Sequence, residues 1–326
     1  MKYISYFIFR ICLVFLISHF VFFEHAHAQT TGLSIAPPTV EIILAPNKKV
    51  IQAFTIHNQG ESGEFVANIH SVTPVGTEGH VTVSPRPIDP SSIPLIYRLE
   101  NADLELGEPF RLGAGDSRQL VISLEGASTD VVTDTYLSLV VSAQAQVISN
   151  QTPSAIATPG IGSLILVTLT PEGTLPVNLE VEGFDLPTVH DSIKALAISP
   201  ILANQGPVML RVAGDYTITS TEGKIVTQIP IYNNLILKES KRIIQGVNGE
   251  GEPIKLSWQP SFSDIGLHTV RLTIKTVGGT TIQEVERSVW VAPVRTAISI
   301  LIAVTVISLL IFLRWRRQLR AIDNAR

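Results

Sequence analysis

Apolar and polar residues alternate with a period of two along most of the chain between Leu33 and Val291. Residues 268–277 are the clearest case. Val270, Leu272, Ile274 and Thr276 point one way, and Thr269, Arg271, Thr273 and Lys275 the other. Leu120, Ile122 and Leu124 share one face of a second run, and Leu137, Leu139 and Val141 one face of a third. Such alternation marks antiparallel strands with one face in a core and one in water. Turn signals punctuate the runs at Asn58-Gln59-Gly60, Gly113-Ala114-Gly115-Asp116, Glu222-Gly223, Asn248-Gly249 and Gly278-Gly279. Val, Ile and Thr dominate the runs, as suits a pleated surface. Short strands with frequent turns over two domain lengths predict an all-β chain of two tandem immunoglobulin-like β-sandwiches.

The first sandwich is expected within 29–173. Pro37-Pro38 opens it as an edge segment, because proline cannot donate to a ladder. Residues 50–57 and 65–73 read as the next pair of strands, joined through 58–63. Residues 85–94 hold Pro85, Pro87, Pro90 and Pro94 and read as a long irregular connection. The last two strands are expected at 136–146 and 161–170, with 147–160 as the loop of a long hairpin. A competing reading ends the domain at Gln146. The second sandwich is expected within 174–293. Its strands fall at 177–181, 193–199, 208–212, 216–219, 225–231, 254–258, 268–277 and 281–291, with Pro230 demoting its strand to an edge. No repeat is strict enough to align the two halves.

The pattern changes at both ends. The run from Thr296 to Leu313 is 18 residues without a charge, followed at once by Arg314-Trp315-Arg316-Arg317-Gln318-Leu319-Arg320. As a helix it covers roughly 27 Å, close to the hydrocarbon thickness of a bilayer. Residues 296–313 therefore read as one transmembrane helix and not as a buried core helix. Arg314, Arg316, Arg317 and Arg320 flank it on one side and Arg295 on the other, which puts the tail at 314–326 in the cytoplasm and 29–295 outside. Trp315 stands where an interfacial aromatic belt is expected. The segment has no G-x-x-x-G and so no specific dimer signal. At the other end, Lys2 and Arg10 precede an apolar stretch at 11–23, then Glu24-His25-Ala26-His27-Ala28-Gln29. That is the grammar of a signal peptide over 1–28, cut between Ala28 and Gln29, with an uncleaved anchor as the alternative.

Composition narrows the chemistry. The single cysteine, Cys12, lies in the expected leader, which leaves no disulfide or thiolate site downstream and leans toward a bacterial envelope protein. The formal net charge is −4 and the basic residues outside the tail form no stripe, so nucleic acid is not an expected partner. His57, His70, His80, His190 and His268 show no metal-ligand spacing, although His70 and His80 could meet across a hairpin. Asp103, Glu105 and Glu108 match no calcium loop. There is no G-x-S-x-G elbow and no phosphate-binding glycine loop before a helix. With aromatics at only 6 % and dispersed, no sugar-binding platform is evident; Trp258 is expected in a core and Trp290 in a strand or near the membrane. No cofactor, metal or catalytic residue is expected, and a hydrolase built from scattered carboxylates is disfavoured because nothing sets a nucleophile beside a base.

Several turn and strand-end signatures follow one another in order. Ile35-Ala36-Pro37-Pro38, Ala45-Pro46 and Asn58 come first. Asn204-Gln205-Gly206, Gly214-Asp215-Tyr216-Thr217-Ile218, Gly223-Lys224-Ile225-Val226, Leu237-Lys238-Glu239-Ser240-Lys241-Arg242 and Gly266-Leu267-His268-Thr269-Val270 follow. Over 33–320 this arrangement resembles the WxL-interacting protein family of the bacterial cell envelope. The chain departs from that family at Ala45-Pro46-Asn47-Lys48, at Val212 and at Lys238-Glu239. The resemblance implies a signal peptide, two sandwiches and a membrane helix, with peptidoglycan and WxL-type surface proteins as partners. The resulting expectation is a single-pass, non-enzymatic envelope protein that contacts a surface protein or wall polymer. A membrane-tethered assembly factor resembling pilus chaperones and acting by strand addition is the alternative. No residue of a basic cleft can be assigned to it from sequence.

Overall fold

The computed structural model describes residues 32–144 and 160–323. Ala28 and Gln29, with the rest of the expected leader, lie outside the described residues, as does nearly all of the expected loop at 147–160.

The first sandwich is made of β1 (Leu33–Ala36), β2 (Thr39–Leu44), β3 (Lys49–Asn58), β4 (Gly63–Val75), β5 (His80–Pro87), β6 (Leu95–Leu99), β7 (Pro109–Leu112), β8 (Ser117–Gly126), β9 (Thr133–Ala143) and β10 (Gly160–Leu169). One sheet runs β1-β3-β8-β6 and the other β2-β10-β9-β4-β5, with β7 also on β4. Alternation explains the core. Leu120, Ile122 and Leu124 of β8 are fully buried against Leu137, Leu139 and Val141 of β9. Each such side chain contributes about 1.5–3 kcal/mol on leaving water. The chain changes sheets at Pro37-Pro38. β1 pairs antiparallel with β3, and β2 pairs parallel with β10. β9 and β10 form an antiparallel pair from Ser142 and Gly160 onward, so the chain between them closes a hairpin.

Three expectations need correction here. The runs at 50–57 and 65–73 are not a pair: β3 and β4 lie in opposite sheets. The buried Asn58 makes the crossing, donating from Nδ2 to the carbonyls of Glu61 and Gly113 while its Oδ1 accepts from the Gly60 amide. Pro85 and Pro87 do not start an irregular connection. β5 continues through both, because it is an outer strand and the missing N–H groups cost no ladder bond. Finally, β9 is not half in water: residues 134–139 are all buried, since Asp134 and Tyr136 face the second sandwich.

The second sandwich contains β11 (Leu179–Glu182), β12 (Val189–Asp191), β13 (Leu196–Ile198), β14 (Ile201–Asn204), β15 (Leu210–Ser220), β16 (Ile225–Ile236), β17 (Ser240–Ile243), β18 (Gly246–Val247), β19 (Pro253–Ile254), β20 (Leu256–Trp258), β21 (Gly266–Thr276) and β22 (Thr281–Ala292). Its large sheet begins β12-β22-β21-β15-β16, the same order as β2-β10-β9-β4-β5 in the first, and β12 pairs parallel with the last strand as β2 does. The facing sheet is β11-β14-β17, and β13 pairs with β20. Buried Tyr216, Ile218, Val270, Leu272 and Trp258 lie between them.

A repeat therefore exists, and it is Asn-Gln-Gly. Asn58 ends β3 opposite Leu33, and Asn204 ends β14 opposite Leu179. Asn204 repeats the bonds of Asn58: its Oδ1 accepts from the Gly206 amide and its Nδ2 donates to the carbonyls of Val208 and Leu237. The following Gln amides bond alike, Gln59 to the Gly32 carbonyl and Gln205 to that of Asn178.

Two further expectations change in this half. The runs at 208–212 and 216–219 are one strand, β15, which shifts register between Val212 and Gly214. Pro230 does not lie on an edge strand, for β16 stands between β15 and β18. However, β18 reaches it only at Ile231 opposite Gly246, so the proline breaks no long ladder.

After Pro293 the chain enters α1 (Val294–Asp323), whose apolar stretch Val294–Trp315 contains both Thr296 and Leu313 and is wholly uncovered by protein. Arg314 lies at the end of that stretch, and Arg316, Arg317 and Arg320 continue the helix beyond it.

Candidate functional site

The two sandwiches meet along one face of the first. Val72, Tyr136, Leu166 and Met209 form a small apolar core of their own there, flanked by Val81, Leu164, Leu235 and Leu237. Beside it, Asp134 is 2 % exposed and accepts three bonds: from the Thr168 hydroxyl at 2.6 Å, from the Tyr136 hydroxyl at 2.6 Å, and from the Met209 amide. Lys238 caps the same node. Its amide donates to the Tyr136 hydroxyl at 2.7 Å, and its ammonium to the Asp134 carbonyl. Burial holds the Asp134 carboxyl above its ordinary value in spite of these donors, and burial likewise raises the Tyr136 phenol.

Next to this core a cleft of about 440 Å³ opens between the sandwiches. Much of its wall is apolar, with Val75, Val81, Leu164 and Leu166 from the first sandwich and Leu235 and Leu237 from the second, and Thr39, His80 and Ser240 add polar groups. Three basic residues line it, Arg211 from β15 and Lys241 and Arg242 from β17. Two have carboxylate partners. The Arg211 guanidinium forks onto Glu41 of β2, with Nε to Oε2 at 3.0 Å and Nη2 on Oε1; that bond raises its pKa. Lys241 reaches Glu182 at 2.7 Å.

Arg242 is different. Its Nη1 donates to the Leu235 carbonyl at 2.9 Å, and among the described residues no carboxylate lies within ion-pair distance of it. Burial, and to a lesser degree the neighbouring Arg211 charge, hold its pKa below the ordinary arginine value. The tip of the β4–β5 hairpin lies on it: a Cβ on Gly79 would come 2.4 Å from Nη1, and the Thr77 carbonyl accepts from the Ile243 amide at 2.7 Å. Gly79 has a φ of 82°, a second reason for glycine there. Arg242 lines both the cleft and a second hollow of about 340 Å³, which it shares with Glu78, His80 and Lys255; Glu78 there lies 3.5 Å from His80 and not within ion-pair distance of the guanidinium. A half-buried guanidinium without a counter-ion between apolar walls favours an anionic group flanked by apolar atoms.

The histidines do not gather. The His70 ring bonds the Ser84 carbonyl at 2.8 Å, and its opposite residue on β5 is Pro87, not His80. His268 is buried against Trp258, with ring centroids 5.0 Å apart. Asp103 pairs with Arg118. Among the described residues no group of three or more His, Cys, Asp or Glu side chains is placed to hold a metal ion. Trp258 lies in the core and Trp290 is half exposed on β22.

The cleft residues escaped the sequence because Glu41, Arg211 and Arg242 converge only when the sandwiches dock. The one local signal is Leu237-Lys238-Glu239-Ser240-Lys241-Arg242, which places three cations in five residues.

No family model matches this chain, and no curated relative matches it. Among solved structures, it is similar to the class 5 fimbriae chaperone CfaA, at 12 % identity over 79 % of this chain and 99 % of that one, with a TM-score of 0.39. A chaperone–tip adhesin complex of CFA/I fimbriae gives 13 % identity over 79 % and 98 %, with a TM-score of 0.40. The E. coli chaperone DraB gives 14 % over 79 % and 98 %, with a TM-score of 0.32.

Proposed function

We propose that this chain is a membrane-anchored, extracytoplasmic binding protein of the bacterial cell envelope. In this reading α1 crosses the membrane, the Arg-flanked end stays inside, and the two sandwiches stand outside with Gln29 as the first mature residue. The cleft between them receives an anionic part of a surface protein or wall polymer. The observation that supports it is Arg242, held half-buried between apolar walls with no carboxylate partner among the described residues. Such a cation is costly to desolvate unless an anion completes it. The resemblance to WxL-interacting proteins puts peptidoglycan and WxL-type surface proteins first among the materials to test.

The test is photocrosslinking in intact cells, from a benzoylphenylalanine placed at the exposed Val75 on the cleft rim. The expected result is one dominant protein or glycan adduct that is lost in an Arg242→Gln background and kept in Lys48→Gln, a cation remote from the cleft. An adduct indifferent to Arg242 would move the site elsewhere. No adduct, together with no retention of wall material by the purified chain, would end the binding reading.

A second reading has its own observation. Among the described strands β5 pairs only with β4, so its other edge is open to a client strand. In that case crosslinks from Thr82 of β5 would trap a partner in extended conformation, and the adduct would disappear as the partner is assembled.

A further inference from the structure

The second sandwich ends in an apolar rim on the side where the chain enters α1. On the outer face of the large sheet Val189, Trp290 and Leu267 stand side by side on β12, β22 and β21, each opposite its neighbour in register. All three are exposed, Trp290 by 49 %. The same face is charged farther along. Arg271 of β21 bonds Glu284 and Glu286 of β22, four residues and about 14 Å from Leu267. The face therefore changes from ionic to apolar as it approaches the helix. Just beyond its end the turn before β21 carries Ile265 and Phe262, and Phe262 is 73 % exposed, more than any other large apolar residue described. Ile193, also exposed, follows β12 on the same side.

This rim cannot move far from α1. One residue, Pro293, separates Ala292 of β22 from Val294 of the helix. The junction is tied: the Arg295 amide donates to Asp191 at 3.3 Å, its guanidinium lies 3.6 Å from the same carboxylate, and the Ser192 amide bonds the Ala292 carbonyl. A helix that begins at a bilayer surface would thus hold Trp290, Leu267 and Phe262 at the level of the headgroups, where aromatic and aliphatic side chains leave water and Trp is favoured.

We infer that the rim formed by Val189, Ile193, Phe262, Ile265, Leu267 and Trp290 lies in the outer interface of the same membrane that α1 spans. The second sandwich then rests on the lipid and does not swing freely above it. The occupant is the bilayer surface, argued from the single residue between β22 and α1 and from the gathering of exposed apolar side chains at the end of the sheet from which α1 leaves. The inference depends on the spanning reading of α1, and its test separates the two.

The full chain carrying Cys12→Ser, which removes its only cysteine, is reconstituted in nanodiscs of phosphatidylethanolamine and phosphatidylglycerol. Single spin labels are placed at Phe262→Cys, Ile265→Cys, Val131→Cys and Ile307→Cys. Collision with oxygen, which concentrates in lipid, is compared with collision with a polar nickel complex. The expected result is a shift toward oxygen at Ile307, a smaller shift of the same sign at Phe262 and Ile265, and none at Val131, an exposed residue near the inter-sandwich face. A label at Ile265 keeps Phe262 in place and guards against the substitution itself undoing the contact. If Ile307 is in lipid while Phe262 and Ile265 behave like Val131, the resting surface is wrong and the spanning helix stands. If Ile307 is itself water-accessible, both fail.

Discussion

Two asparagines carry corresponding corners of the two sandwiches. Asn58 and Asn204 are each nearly inaccessible, and each satisfies one amide and two or more carbonyls where a strand leaves its sheet. Removing the amide strands those buried groups without replacing them, and an unsatisfied buried polar group costs about 1–3 kcal/mol. Asn58→Ala and Asn204→Ala should therefore each lower stability by about 2 kcal/mol or more. Asn101→Ala, at a partly exposed site that also bonds main chain through both side-chain atoms, should cost less. Urea midpoints of the three variants would check the ranking. Asp should not rescue either corner, because it accepts but cannot donate to the carbonyls.

At the scale of strands, what the sequence made legible followed from the period. Alternation finds β8, β9, β21 and β22 because one buried face with a repeat of two leaves an unambiguous mark. It does not say which sheet a strand joins. β3 and β4 read as neighbours across Asn58-Gln59-Gly60, whereas β4 lies in the opposite sheet, and the side-chain bonds of Asn58 that hold the corner are invisible in a hydropathy pattern. Gly214 misled in the other direction. It reads as a turn that splits two strands, whereas β15 passes through it under a register shift. Glycine is needed there for contact as well as conformation: φ is 155°, and a Cβ would fall 1.9 Å from the Thr273 carbonyl oxygen on β21. Gly214→Ala should force β15 and β21 apart and destabilise the second sandwich by well over the ~1 kcal/mol of an ordinary Gly→Ala effect. Gly223→Ala, in the β15–β16 turn at positive φ with open space around it, should cost about 1 kcal/mol. Thermal unfolding of the two variants would distinguish a packing clash from conformational strain. The candidate cleft was illegible for a further reason, since Arg211 and Glu41 are 170 positions apart and meet only across the docked faces.

For the whole molecule, the cleft exists only while the sandwiches stay docked, and the docking face is built around a titratable group. Asp134 binds Thr168 within the first sandwich and Met209 from the second, so its protonation state bears on how the halves hold together. Burial favours the neutral acid and raises its pKa above the ordinary 3.8. In the unfolded chain the carboxyl ionises near the ordinary value, while the folded chain keeps its proton to higher pH. Between the two values the unfolded state binds fewer protons, so stability falls as pH rises, and it levels off above the folded pKa. This is opposite in sign to the more common carboxylate that is stabilised by its partners. Glu100 illustrates that common case, with its pKa lowered by hydrogen bonding to Lys49. Asp134→Asn cannot titrate and retains an acceptor for Thr168 or Met209. The stability of the natural protein minus that of the variant should therefore decline as pH is raised from about 4, and then flatten. Parallel urea titrations of the two proteins across that range measure this difference directly, with every other carboxylate cancelling. A constant difference would mean that Asp134 titrates as it does in water, and a rising one that its three donors outweigh burial. In the second case the docking face would be strongest at neutral pH, and binding in the cleft should weaken on acidification in step with the loss of the Asp134 charge.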